Sequence, residues 1–156
     1  MSAKLVLMRH AKSSWGDPSQ DDHARPLDAR GRDAAARIGA WLGREGHGPT
    51  RALVSDAART RETWERLTFA IAPELRPDLY LAEADHILSL AREATGTLLL
   101  LAHNPGMAEA ALRAVDRAPA HPDFERFPTG ATLVVDLAGG LPGRAIDFAV
   151  PRDLAG

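Results

Sequence analysis

The chain has 156 residues, enough for a single domain with its own core. Its formal net charge of -2 and charged share of 26% exclude a global basic field that would recruit nucleic acid or an anionic membrane. With no cysteine, disulfides and thiolate chemistry are excluded, which fits a reducing, cytoplasmic setting.

Leu5 to Met8 is an apolar run too short for a signal-peptide core or a membrane span, and it reads as a buried strand. Ser13 to Pro26 is polar, holds Gly16, Pro18 and several aspartates, and reads as a loop. Asp28 is placed to cap a helix whose apolar face carries Ala34, Ile38, Trp41 and Leu42. Ala52 to Val54 predicts a second strand, ending at Ser55-Asp56, and the next helix carries Thr60, Trp64 and Leu67. Leu79 to Leu81 reads as an edge strand, and Ile87, Leu88, Ala91 and Ala94 mark another helix. Leu98 to Leu101 is a continuous apolar strand of the kind found at a sheet centre. Asn104 and Pro105 read as N-cap and first position of a helix that turns Met107, Ala111, Leu112 and Val115 to the core. Residues 117 to 130 form a proline-bearing loop. Ala131 to Leu137 and Ala145 to Val150 are candidate strands joined by the turn Gly139-Gly140-Leu141-Pro142-Gly143. The alternation predicts an α/β domain over residues 1–156, a three-layer αβα sandwich with a mostly parallel central sheet.

Three of these strands end in unusual polar residues. The first runs into Arg9-His10-Ala11-Lys12-Ser13, the second into Ser55 through Thr63, and the central one into His103-Asn104-Pro105-Gly106. Ligands of open α/β sheets bind beyond the carboxyl ends of the strands, so Arg9, His10, Arg59 and His103 are expected to converge in one pocket. Two guanidiniums match phosphoryl oxygens by bidentate hydrogen bonds. Neighbouring positive charge keeps His10 unprotonated and nucleophilic. Its other ring nitrogen is expected to donate to a backbone carbonyl. His103 can stabilise charge on the transferring group, and phosphoryl transfer by positioning and electrostatics needs no metal or cofactor.

The ordered set Arg9-His10-Ala11, Ser55 to Thr63 as S-x-x-x-R-x-x-x-T, and His103-Asn104-Pro105 resembles the histidine phosphatase superfamily with its phosphoglycerate mutase-like fold. Leu5 to Ser13, Arg25-Pro26-Leu27 before Arg30-Gly31-Arg32, Leu79 to Ala82 and Phe127 to Ala131 extend the likeness to the small SixA-type branch of phosphohistidine phosphatases. The resemblance implies that His10 is the nucleophile, Arg9 and Arg59 bind phosphate, and His103 is the second pocket histidine. It implies a phosphate contact for Ser13, and Asn104 caps its helix, binds substrate, or does both. The glycine of the wider family's motif is Ala11 here. Relatives acting on phosphate esters carry a glutamate general acid in mid-chain. Glu83 and Asp85 lie in that region, although no motif assigns either.

Other residues have plainer readings. Lys12 either steers phosphate or lies in solvent. Lys12-Ser13 matches the end of a P-loop, but the glycines are absent. His23, His47, His86 and His121 read as surface or loop residues without metal spacing. An Asp22–Arg25 ion pair would order the loop over the pocket. The expected function is hydrolysis of phosphohistidine in a partner protein through phospho-His10, releasing inorganic phosphate. The alternatives are a phosphatase of small phosphorylated molecules and a phosphate-binding module with little turnover.

Overall fold

The structure, a computed structural model, describes residues 3–155. Its sheet contains β1 (Lys4–Arg9), β2 (Arg51–Ser55), β3 (Glu74–Arg76), β4 (Thr97–Ala102), β5 (Thr132–Asp136) and β6 (Arg144–Ala149), in the spatial order β3-β2-β4-β1-β5-β6. The pairings β1–β4, β2–β4 and β2–β3 are parallel, whereas β5 joins β1 and β6 antiparallel. The apolar runs of β1 and β4 lie at the centre, fully covered on both faces.

Side chains alternate across this sheet, so each face builds its own core. Leu5, Leu7, Leu53, Leu98, Leu100 and Leu133 pack with α3 (Ala84–Ala91) and α4 (Gly106–Ala114). Val6, Met8, Val54, Leu99, Leu101 and Val134 pack with α1 (Ala29–Arg44) and α2 (Ala58–Leu67). Trp41 and Trp64 belong to this second core. The result is the expected αβα sandwich. No helix among the described residues is long and apolar enough to cross a membrane.

Asp28 caps α1 as expected, its Oδ1 accepting from Gly31 N–H at 2.8 Å. Gly31 itself is required by packing, because a Cβ there would lie 2.0 Å from the Lys12 carbonyl oxygen. That close approach sets the first turn of α1 against the segment following β1.

Four local expectations are corrected. Leu79 to Leu81 is not an edge strand: Pro77–Leu79 is a 3₁₀ turn, and the edge strand is Glu74–Arg76. Pro77 supplies the reason, since it lacks the N–H a ladder needs. In α1 the buried alanine is Ala35, with Ala34 only half-buried at the edge of the stripe. Leu112 faces outward and is 47% exposed, because Met107, Ala110, Ala111 and Ala114 already fill the inner face of α4. His47 is buried rather than superficial: Lys4 Nζ donates to its Nδ1 at 3.0 Å, and its Nε2 donates to Asp147 at 3.1 Å.

Candidate active site

The register of the sheet brings the distant motifs together. Arg9 pairs with Ala102 and Val54 with Leu101, so β1, β2 and β4 end on one edge. The residues that follow must then lie side by side. His10 and His103 are indeed neighbours, with ring centroids 5.3 Å apart. The His10 backbone is pinned on both sides, donating to Ala102 O at 3.1 Å and accepting from Gly130 N–H at 2.9 Å. Arg9, His10, Arg59 and His103 line one cavity of about 340 Å³ together with Lys12, Ser13 and Asn104.

The hydrogen bonds determine the state of each imidazole. His10 Nδ1 lies 2.7 Å from the Ala11 carbonyl oxygen, which can only accept, so Nδ1 carries the proton and Nε2 keeps its lone pair. Ala11 is held in turn by Thr63, whose Oγ1 accepts from Ala11 N–H and donates to Arg59 O. Thus the last residue of S-x-x-x-R-x-x-x-T orients the candidate nucleophile through the backbone.

The first residue of that motif does the same for His103. Ser55 Oγ lies 2.7 Å from His103 Nε2 and accepts a long bond from Ala57 N–H. This buried hydroxyl has one acceptor for its own proton among the described residues, His103 Nε2. His103 is therefore the Nδ1–H tautomer, and that N–H is buried with no protein partner. A neutral imidazole so arranged donates to an anionic oxygen. Ser55→Ala should lower kcat about tenfold, the worth of one bond to a buried group, with KM little changed. The ring ¹⁵N shifts of His103 should report mixed tautomers in that variant and one tautomer in the parent.

Burial is the main cause of a low pKa for both histidines, about 3 in each case; Arg9 and Arg59 add to it in both, as does His103 for His10. Both are neutral at physiological pH. As pH falls below the ordinary histidine value of about 6.5, the unfolded chain takes up protons that the folded pocket refuses. Each ring then removes about 1.4 kcal/mol of stability per pH unit until its folded pKa is reached. Thermal unfolding should show Tm falling steeply from pH 6.5 to 4.5, and His103→Gln should flatten that slope.

The arginines are set from the other side. Arg9 donates to Phe127 O at 3.3 Å, and burial followed by Arg59 lowers its pKa. Arg59, only 3% exposed, donates to the Asp22 backbone carbonyl at 2.7 Å and to Asp22 Oδ2 at 3.1 Å. The Nε donors of Arg9 and Arg59 are buried without a protein partner, as is His103 Nδ1. With Arg25 Nε, which is orphaned in the same way, four pocket residues carry unpartnered buried donors, and these suit an anion with several oxygens.

Comparison with known proteins places the chain in a family. The family model of the histidine phosphatase superfamily (branch 1) matches residues 5–88. The chain belongs to the histidine phosphatase superfamily. An uncharacterized protein of Mycobacterium tuberculosis is 31% identical over 159 residues, covering 93% of this chain and all of its own length. An uncharacterized chloroplastic protein of Arabidopsis thaliana is 32% identical over 71% of this chain, which spans 58% of that protein's length. Among solved structures, SixA of Agrobacterium tumefaciens, provisionally assigned as a phosphohistidine phosphatase, superposes with a TM-score of 0.80 at 29% identity. The superposition covers 97% of this chain and 100% of that one. The fold is phosphoglycerate mutase-like, and within the superfamily the chain is SixA-like.

For this histidine phosphatase the remaining candidates fall into place unequally. Ser13 lines the pocket, with its Oγ taken by Arg25 Nη1. Lys12 also lines it, is half exposed, and pairs with Asp28 at 3.5 Å. Asn104 lies beside the site but spends its amide on structure. Its Nδ2 donates to Phe127 O at 2.9 Å and its Oδ1 accepts from Ala108 N–H at 3.1 Å. The N-cap is Pro105, so the expected Asn104 N-cap and Pro105 first position fall one residue early; Asn104 holds the first turn of α4 from just outside it and straps the 117 to 130 loop to it. Neither Glu83 nor Asp85 lines the cavity, and Asp85 is 82% exposed and pairs with Arg113 at 2.8 Å. Asp85, in the first turn of α3, faces α4 through Arg113, and Glu83, the N-cap of α3, is exposed. The structure thus offers no acid at those two positions.

Asp22 does more than form the expected ion pair with Arg25. The expected pair with Arg25 is present at 3.1 Å, and Asp22 also receives Tyr80 Oη at 2.5 Å besides Arg59. The Tyr80 bond first, then Arg25 and Arg59, hold its carboxyl well below the usual range. An ionised carboxylate so engaged has no proton to give a leaving group. The sequence signal for this hub was slight: one aspartate among several in a polar loop.

Proposed function

We propose that this histidine phosphatase hydrolyses phosphohistidine in a partner protein through a covalent phospho-His10 intermediate. The observation that carries the reading is a neutral, oriented His10 with a free Nε2, in a pocket lined by basic side chains and by no carboxylate. In the first step the Nε2 lone pair attacks phosphorus and the P–N bond breaks. The electron pair goes to the departing imidazole, which leaves neutral because its other nitrogen carries a proton. Arg9, Arg59 and the Nδ1–H of His103 hold the phosphoryl oxygens throughout. Water then attacks phospho-His10, inorganic phosphate departs, and neutral His10 is restored.

A phosphate ester would need a proton for its alkoxide, and neither Asp22 nor the displaced Glu83 and Asp85 supplies one. The rim also suits a protein surface. Trp15 and Leu81, 74% and 54% exposed, both line the mouth. Trp15 is backed by the Arg25 guanidinium 3.7 Å from its ring centre. Leu81 holds an exposed apolar side chain at φ +53°, a conformation that costs a branched residue about 1 kcal/mol. The likeness to the Agrobacterium SixA supports the same substrate class.

The test is a rapid-quench experiment with a phosphohistidine peptide and, separately, an aryl phosphate. Acid-labile, base-stable label on His10, formed and turned over faster from the peptide, is expected. Label from the aryl ester alone would make this a small-molecule phosphatase, and no label with no turnover would make it a binding module. Glu83→Gln and Asp85→Asn should leave peptide turnover within about twofold, since exposed charges away from the site contribute little.

A further inference from the structure

A second cavity, of about 490 Å³, adjoins the phosphoryl pocket and shares Lys12 and Thr129 with it. It runs between α1, the end of the 117 to 130 loop and the 3₁₀ turn Pro151–Leu154. Its basic side chains are Lys12, Arg30, Arg37, Arg126 and Arg152, against two acids, Asp33 and Asp123. Even with Lys12 held by Asp28, outside the lining, the acids leave a surplus. Asp33 pairs with Arg37 at 3.0 Å, while Asp123 is shared by Arg126 and Arg152. Arg30 makes no ion pair among the described residues, although it lies on the same face of α1 as Arg37. In a chain of net charge -2 this is a local concentration of cations, and it leads into the catalytic pocket.

Resting on the phosphohistidine reading, we propose that this groove binds an acidic segment flanking the phosphohistidine of the partner protein. Charge complementarity selects that occupant over a neutral or basic one. Arg30 to Arg37 spans about 10 Å along α1, the length of about three residues of extended chain. Because the two cavities share Lys12 and Thr129, the residues flanking the phosphohistidine enter this groove while the phosphoryl group sits beside His10, and about three extended residues match the spacing of the two arginines. The groove thereby sets which phosphoproteins are turned over and leaves the phosphoryl chemistry alone.

The test uses two peptides of equal length carrying a phosphonate analogue of phosphohistidine, one with flanking glutamates and one with serines in their place. Binding is read by fluorescence anisotropy at low and high salt. The acidic peptide should bind about tenfold more tightly at low salt, with the difference shrinking as salt screens exposed charges. Arg30→Gln with Arg37→Gln should erase most of that difference, and hydrolysis of free phosphohistidine by this variant should stay at the parent rate. Both positions are exposed, and Arg126→Gln offers an independent variant on the opposite wall. Equal affinity for the two peptides, or a preference that survives all three substitutions, would overturn the groove. Failure of the catalytic reading shows separately, as absence of turnover of the hydrolysable peptides.

Discussion

His10→Ala is expected to abolish turnover, with a loss of at least about 10⁵-fold in kcat, because nothing else in the pocket can form the phosphoenzyme. The remaining imidazole cannot substitute. His103 has its Nε2 committed to Ser55 and presents an N–H rather than a lone pair. Phosphate binding should survive within about tenfold, since Arg9, Arg59 and His103 still supply the charge and the donors. Equilibrium binding of inorganic phosphate beside single-turnover kinetics checks both halves. A His10→Ala protein with ordinary turnover would end the covalent mechanism, whatever the substrate.

Arg59→Ala should cost about 10³-fold in kcat/KM, within the range seen when a guanidinium is removed from a transferring phosphoryl group. Unlike His10→Ala, it should weaken phosphate binding as well, because in the proposed mechanism Arg59 meets the oxygens before, during and after transfer. The substitution also severs the contacts to Asp22 that tie the 13 to 30 loop to α2. Asp22→Ala separates the two effects, removing the side-chain tether and leaving the guanidinium. That variant should retain activity to within about tenfold. Arg59→Lys should recover little, because an ammonium cannot replace the planar fork. Comparable losses in Asp22→Ala and Arg59→Ala would show that loop order, rather than direct contact, is the larger part of the arginine's role.

The architecture was readable because its signals are local. Continuous apolar runs at Leu5 to Met8 and Leu98 to Leu101 mark strands covered on both faces, and the cap at Asp28 is a contact three residues long. The convergence of four residues on one cavity was readable for the same reason: Arg9, His10 and His103 stand at or just beyond a strand end and Arg59 in the first turn of the helix after β2, where parallel sheets bind ligands. Errors clustered where a residue's place depends on what is packed beside it. Leu112 is as apolar as its neighbours, and only the small inner face of α4 leaves it outside. His47 reads as a loop histidine until β6 brings Asp147 beneath it.

The sequence by itself determined that this is an α/β chain with Arg9, His10, Arg59 and His103 at the ends of its elements, and so which chemistry was available. Tertiary structure decided how those groups are held. Ser55 reaches across 48 positions to set the tautomer of His103, and Thr63 acts through Ala11 to set that of His10. It also decided that Asp22 holds Arg59 and Tyr80, and that Glu83 and Asp85 stand outside the pocket. The physical reason is range. Periodicity and capping act over one or two turns of chain, whereas the proton's place on His103 depends on a Ser55 hydroxyl that only the folded register brings within 3 Å.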